Sequence, residues 1–140
     1  MNQLIAHAKT KVDLDAIVEA PRACYMLVGP RYRGKMASAL YAADKLRSGQ
    51  YDRLHIKPND KGSITIEMAH ELVDSLSKKA NRKDATRVVI IESAERMTIP
   101  AQNALLKVIE EPPANTVFLL LISNTAGVLS TIKSRCQTIF

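Results

Sequence analysis

The chain of 140 residues carries 20 Lys and Arg against 14 Asp and Glu, a formal net charge of +6. This length suits one compact domain with its own core and excludes the two or three domains of most ATP-driven machines. The longest apolar run, residues 117–122, is far shorter than the roughly 20 residues that cross a bilayer, and no secretory signal opens the chain. Cys24 and Cys136 lack the close spacing of a zinc or redox motif, so a reducing cytoplasm is the expected location.

The positive charge favours contact with polyanions, because clustered Lys and Arg displace counterions from a nucleic-acid backbone. The basic residues of this chain are scattered rather than clustered. A solvated basic surface explains that pattern equally simply. Any contact with DNA is therefore expected to be indirect or non-specific.

Apolar periodicity divides the chain into alternating helices and strands. Apolar residues at i, i+3, i+4 and i+7 predict helices, and short unbroken apolar runs predict strands that are covered on both faces. The predicted elements are, in order, a helix within residues 12–19, a strand at 24–28, a helix at 34–47, a strand at 54–57, a helix capped by Thr65 and closed by the basic tail at 78–83, a strand at 88–91, a helix capped by Thr98 and ended by Pro112, a strand at 116–122 and a strand at 137–140.

This alternation predicts an α/β fold of three layers, in which a five-stranded parallel sheet is flanked by helices. Ligands of such sheets bind beyond the carboxyl ends of the strands. We therefore expect functional side chains directly after the strands at 24–28, 88–91 and 116–122.

The segment after the first predicted strand matches the G-x-x-x-x-G-K part of the P-loop pattern and leads directly into a helix. The residues assigned to nucleotide binding are Gly29, Pro30, Arg31, Arg33, Gly34, Lys35 and Met36. Backbone N–H groups of such a loop attract phosphate, and Lys35 would reach the terminal phosphates. Met36 stands where Ser or Thr normally holds magnesium, so the motif is incomplete. A simple strand-to-helix turn with a chance lysine is the alternative.

Glu92 and Ser93 follow the strand at 88–91, where an acidic pair would hold magnesium and orient the attacking water. Serine cannot polarise water as a carboxylate does. Glu95 lies in the following turn and is expected to be a surface residue that points elsewhere. Two defects in one site predict weak or absent hydrolysis, with weak binding of ATP or ADP and Mg.

The segment IIESAERMTIPAQNALLKVIEEPPANTVFLLLISN and the triplet Ser134-Arg135-Cys136 resemble the N-terminal AAA+ domain of bacterial DNA polymerase III clamp-loader subunits of the delta-prime and gamma/tau type. The resemblance implies that Arg135 is an arginine finger, which enters the ATP site of a neighbouring subunit. Without it, Arg135 would be interpreted as a surface ion-pair partner. Ser123 and Asn124 stand where the family has its sensor residue, a polar turn being the alternative.

The chain also departs from the resembling family in two places. Residues 46–51 replace the family's four-cysteine zinc module, and His55 alone cannot rebuild a site that needs four ligands, so we expect no zinc and an ordinary strand residue at His55. The family's lid and collar domains have no counterpart before Phe140, so residues 1–140 are expected to form a single AAA+ domain.

The resemblance implies a delta-prime-like role in DNA replication, with other clamp-loader subunits as partners, namely an ATPase subunit and a delta-like subunit, and no membrane. Two alternatives remain open at this point. The chain could be a self-sufficient P-loop ATPase, or a DNA-binding module without enzymatic activity.

Overall fold

The computed structural model describes residues 24–30, 34–46, 53–78 and 86–139. The helix predicted within 12–19 lies outside these ranges. The described elements are β1 (Cys24–Val28), α1 (Lys35–Lys45), β2 (Arg53–Ile56), α2 (Ile66–Ser77), β3 (Arg87–Ile91), α3 (Ile99–Glu110), β4 (Thr116–Ile122), α4 (Ser130–Lys133) and β5 (Gln137–Ile139), with single 3₁₀ turns at Ala94–Arg96 and Thr125–Gly127. No helix in these ranges has both the length and the apolar character that a bilayer crossing requires.

The five strands form one parallel sheet in the order β2-β3-β4-β1-β5. Leu120 at the centre of β4 lies opposite Ile91 of β3 on one side and Met26 of β1 on the other. Parallel neighbours require crossover connections, which place helices on the faces of the sheet. The predicted α/β architecture with a five-stranded parallel sheet is confirmed.

Two apolar layers hold the helices to the sheet, one on each face. Alternate residues of β4 serve each layer, since Phe118 packs with the α2 and α3 side and Leu119 with the α1 side. On the α1 side the helix contributes the fully buried Ala39 and Ala42, whose small side chains let it approach the strands closely. Burial of each large side chain contributes roughly 1.5–3 kcal/mol, so β4 carries much of the core.

Two of the predicted helix starts are present as expected. The Thr65 side chain accepts a hydrogen bond from the backbone N–H of Met68, and Thr98 accepts one from Ala101. Such caps typically contribute about 1 kcal/mol each, because they satisfy backbone donors that have no partner within the helix. The structure ends α3 at Glu110, just before the proline pair that was predicted to stop it.

Other boundaries differ from the prediction by a few residues. β2 is described from Arg53, one residue before the predicted start, because Arg53 pairs with Val88 of β3, a register that local periodicity does not contain. β5 is described as far as Ile139, and Phe140 lies beyond the described residues. The four-residue helix α4 was not predicted, since one turn is too short to show a period.

Arg87 is a cation at the end of α2 that the sequence analysis did not place there. Its buried guanidinium donates to the backbone oxygens of Leu76 at 3.0 Å and Lys78 at 2.7 Å. The last carbonyls of a helix have no partner within it, so these bonds satisfy acceptors that would otherwise be left unpaired. The rest of the predicted tail, residues 79–83, lies outside the described ranges.

Cys24 and Cys136 form a disulfide, although they are 112 residues apart in sequence. The sheet explains the contact: Tyr25 pairs with Gln137 across β1 and β5, so the residue before each of these comes to the same place. The two Cα atoms are 4.7 Å apart, within the range for disulfides. The link ties the segment before β5 to the buried start of β1.

Candidate nucleotide-binding site

The residues assigned to nucleotide binding and hydrolysis meet at one edge of the sheet. Gly29 follows β1, Glu92 follows β3 and Ser123 follows β4. These three strands are neighbours in the order β3-β4-β1, and the carboxyl ends of parallel strands share an edge. The structure thus brings these residues together at the carboxyl edge of the sheet, where the sequence analysis expected functional side chains.

The described part of the P-loop is fastened at both ends. The backbone N–H of Gly29 donates to the carbonyl of Ile122 at 3.1 Å, which attaches the start of the loop to β4. Gly34 precedes α1 in the left-handed region at φ 83°, a conformation that glycine adopts without steric cost. Arg31 and Arg33 lie outside the described residues. In the described residues a strand end is followed, after the loop, by the start of a helix, and backbone N–H groups at a helix start are suited to phosphate.

Lys35, the P-loop lysine, lies over the loop and contacts the next strand end. Its Nζ donates to the backbone oxygens of Gly29 at 2.7 Å and Pro30 at 2.8 Å, and to Ser123 Oγ at 3.2 Å. An ammonium group has three donors, so a phosphate would have to replace bonds that this lysine already makes. The contact also brings Ser123, one of the two predicted sensor residues, to the P-loop.

Met36 occupies the position of the magnesium-binding hydroxyl and packs inward instead. It is half-buried and lies against the apolar layer beneath α1. A thioether is a soft, weak ligand, whereas Mg²⁺ requires oxygen ligands in near-octahedral geometry. This position therefore supplies packing where the complete motif would supply a ligand.

Glu92 is paired with a histidine from the neighbouring strand. Its Oε2 atom lies 2.9 Å from Nε2 of His55, and both side chains are partly exposed. His55 lies in a strand, as the sequence analysis expected. Its contact with Glu92 was not expected. Ser93 adopts the left-handed region at φ 54° and begins the first 3₁₀ turn.

Glu95 does not point away from the site, and the expectation of a remote surface side chain was wrong. The 3₁₀ turn after β3 brings the chain back over the end of β4, where Glu95 Oε1 accepts a hydrogen bond from the backbone N–H of Ser123 at 3.3 Å. Gly127 packs against this turn so closely that a Cβ there would lie 2.9 Å from the Glu95 Cβ. Glu95 thus holds the main chain at Ser123.

Asn124, the other predicted sensor residue, has a local partner. Its Oδ1 accepts a hydrogen bond from the backbone N–H of Ala126 at 3.0 Å, which caps the second 3₁₀ turn. Of the two adjacent residues, only Ser123 contacts Lys35 in the described structure. The polar-turn alternative fits Asn124.

Gln102 is a buried polar residue that the sequence analysis missed. Its Nε2 donates to the backbone oxygens of Met97 at 3.1 Å and Gly127 at 3.0 Å, and its Oε1 accepts from the Leu129 N–H at 2.8 Å. The side chain therefore joins the start of α3 to the segment leading into α4. The signal was available, since Gln102 lies in helical register with the buried Leu105 and a polar residue there must find partners.

Arg135 lies at the opposite edge of the sheet. It precedes β5, and Gln137 at the start of β5 pairs with Tyr25 near the start of β1, whereas the P-loop follows the end of β1. At about 3.3 Å per residue, the strand separates the two edges by more than 10 Å. The guanidinium side chain is 57% exposed, and its Nη2 atom lies 3.4 Å from Oε1 of Glu110.

The backbone at Arg135 is held by the short helix before it. The N–H of Arg135 donates to the carbonyl of Ile132 at 3.0 Å, and Ile132 is fully buried in the core. Cys136 follows directly and is linked to Cys24. Across the described ranges, no three His, Cys, Asp or Glu side chains gather into a set that could hold a metal ion.

Residues 32–140 match the protein family described as "DNA polymerase III, delta subunit". This chain belongs to that family. It is 32% identical over 135 residues to DNA polymerase III subunit delta' of Yersinia pestis, covering 95% of this chain and 39% of the relative. It is 30% identical over 134 residues to subunit delta' of Bacillus subtilis, covering 82% of this chain and 40% of the relative. The chain thus spans about two fifths of the length of these curated relatives.

Solved structures support the same fold. A DNA polymerase III gamma subunit-related protein of Thermotoga maritima superposes with a TM-score of 0.79 at 25% identity, covering 94% of this chain and 45% of that one. The RuvB Holliday junction branch migration motor of Thermotoga maritima superposes at a TM-score of 0.74 and 16% identity, covering 96% and 44%, which shows the fold alone. The resemblance to clamp-loader AAA+ domains is confirmed, and the fold is of the AAA+ P-loop type.

Proposed function

We propose that this chain is a delta-prime-like clamp-loader domain that acts in DNA replication, hydrolyses ATP poorly and donates Arg135 to the ATP site of a neighbouring subunit. The observation that carries the proposal is the position of Arg135. It lies at the sheet edge opposite the chain's own P-loop and its side chain is mostly exposed. A guanidinium placed there cannot serve its own site but can enter that of an adjacent subunit.

The chain's own site supports poor hydrolysis. Met36 offers a thioether to magnesium, Glu92 is engaged by His55, and Ser93 supplies no carboxylate to activate water. Glu95, the other carboxylate at this edge, is bonded to the backbone of Ser123. Weak binding of ATP or ADP, with Mg, is the activity that the remaining P-loop geometry permits.

The proposed chemistry of Arg135 is stabilisation of charge. The guanidinium is planar, permanently charged and able to donate several hydrogen bonds to phosphoryl oxygens. In phosphoryl transfer an arginine finger contributes roughly 10³ to 10⁵ in rate. The site it completes would belong to an ATPase subunit, and a delta-like subunit would be a further partner, all in the cytoplasm. Contact between this domain and DNA would be indirect or non-specific.

The proposal is tested in a reconstituted clamp loader that contains this chain. Arg135→Ala is expected to lower ATP turnover at the neighbouring site by roughly 10³-fold or more, and Arg135→Lys is expected not to restore it, because an ammonium lacks the planar fork. Lys133→Ala, which removes an exposed cation from the preceding helix, serves as the matched control. Unchanged turnover in Arg135→Ala would refute the proposed role.

A titration of the chain by itself tests the second part of the proposal. Calorimetry with ATP and ADP, with and without Mg, should show weak binding, and no turnover should accompany it. Vigorous turnover that Lys35→Ala abolishes would instead identify a self-sufficient ATPase. Tight binding to duplex DNA that weakens steeply with salt would identify the DNA-binding alternative.

A further inference from the structure

We infer that Glu110 is a positioning residue for Arg135, and that its carboxylate orients the guanidinium toward the neighbouring subunit. The inference rests on the proposed function of Arg135 and adds a second residue to it. Its basis is the pairing of Glu110 Oε1 with Nη2 of Arg135 at 3.4 Å, at the sheet edge away from the P-loop.

Glu110 is attached to a well-anchored part of the fold. It is the last residue of α3, and its neighbour Ile109 is buried in the same apolar layer as Leu105. The helix cannot continue past this point, because residues 112–113 are both proline. The Cα of Glu110 therefore has a fixed place relative to the sheet, and only its side-chain torsions are free.

Arg135 is fixed at its backbone in the same way. The buried Ile132 anchors the preceding helix, the Arg135 N–H bonds back to Ile132, and Gln137, two residues further on, pairs with Tyr25 of β1. What remains free is the long side chain, whose rotamers spread the guanidinium over a wide volume. A charged partner whose backbone has a fixed place restricts that spread. The pairing runs through Nη2, and a guanidinium carries five N–H donors, so further donors remain for phosphate.

The ion pair between Glu110 and Arg135 is too exposed to contribute much to the stability of the fold. The two side chains are 57% and 40% exposed, and ion pairs of this kind stabilise a fold little. Orientation is a different effect, because catalysis depends on holding a group close to its productive geometry. The expected effect of losing Glu110 is therefore seen in turnover and not in melting temperature.

The test uses four versions of the chain in the reconstituted clamp loader: Glu110→Gln, Arg135→Ala, the double variant, and Glu111→Gln as the control. Glu110→Gln keeps the shape and removes the charge, and it should lower kcat of the neighbouring site about two- to fivefold with the KM for ATP unchanged. Glu111→Gln removes a carboxylate that is also exposed, one residue further along the chain, and should leave kcat unaltered. The double variant should turn over at the rate of Arg135→Ala, since Glu110 acts only through Arg135.

The outcomes separate this inference from the function it rests on. If Arg135→Ala slows turnover but Glu110→Gln does not, or accelerates it, Arg135 is the finger and Glu110 does not position it. A further loss in the double variant beyond Arg135→Ala would also overturn the inference, because Glu110 would then act by another route. If Arg135→Ala has no effect, both the proposed function and the inference fail. Equal melting temperatures of Glu110→Gln and the unaltered chain are part of the expected result.

Discussion

Replacement of the buried Gln102 by methionine is expected to destabilise the domain strongly. Methionine has a similar shape but cannot donate to Met97 and Gly127 or accept from Leu129. The bond to Met97 is buried, and its loss leaves an unsatisfied carbonyl at about 2 kcal/mol. The other two bonds are partly buried, and losing them costs about 1 kcal/mol each. The sum of about 4 kcal/mol is a large share of the roughly 5–15 kcal/mol that holds a typical domain together.

Urea denaturation followed by circular dichroism measures this difference. The exposed neighbour Asn103 on the same helix provides the control, and Asn103→Ala should change the free energy of unfolding by less than about 0.5 kcal/mol. A loss of under 1 kcal/mol in Gln102→Met would refute the reasoning. It would mean that water or a small rearrangement satisfies the three backbone groups without the glutamine.

Three further changes have expected outcomes that the same assay can measure. Gly127→Ala should cost about 1–3 kcal/mol because its new Cβ meets the facing 3₁₀ turn, whereas Gly29→Ala, whose Cβ meets no described residue within 4 Å beyond its chain neighbours, should cost less; equal losses would contradict the packing argument. Arg87→Met should cost about 1.5–3 kcal/mol and speed hydrogen exchange in the last turn of α2, whose carbonyls it caps; unchanged exchange would refute that role. Cys136→Ser should lower stability by about 2–4 kcal/mol under oxidising conditions and not in reductant; two free thiols in the unreduced chain would show that Cys24 is not linked.

The elements that depend on local chemistry were predictable from the sequence. Thr65 and Thr98 cap helices because a hydroxyl placed just before an apolar period accepts from the first turn, and both caps are present. The strand at 116–122 has the predicted bounds, since its six unbroken apolar residues, 117–122, can be buried only with cover on both faces. The sequence also predicted that the P-loop and Ser123 lie close together, because each follows a strand and parallel strands end at the same edge of the sheet.

What was missed depends on contacts between segments that are distant in sequence. The disulfide arises from the pairing of β1 with β5, which no spacing of cysteines reveals. Glu95 was expected on the surface because it lies several residues beyond the end of β3. The 3₁₀ turn, however, folds it back onto the end of β4. Gln102 was passed over because its helical register was read for apolar residues alone.

The proposed mechanism involves the P-loop and Arg135, and the direction of the strands places these two at opposite edges of the sheet. The P-loop lysine Lys35 comes after a strand and Arg135 comes before one, so in a parallel sheet they must lie at opposite edges. No rearrangement of side chains brings Arg135 to the site of Lys35, because the sheet stands between them. An arginine at this position can complete a nucleotide site only when a second subunit brings its own carboxyl edge against the amino edge of this one. For the proposed role of Arg135, the need for a partner subunit therefore follows from the order of motif and strand along the chain.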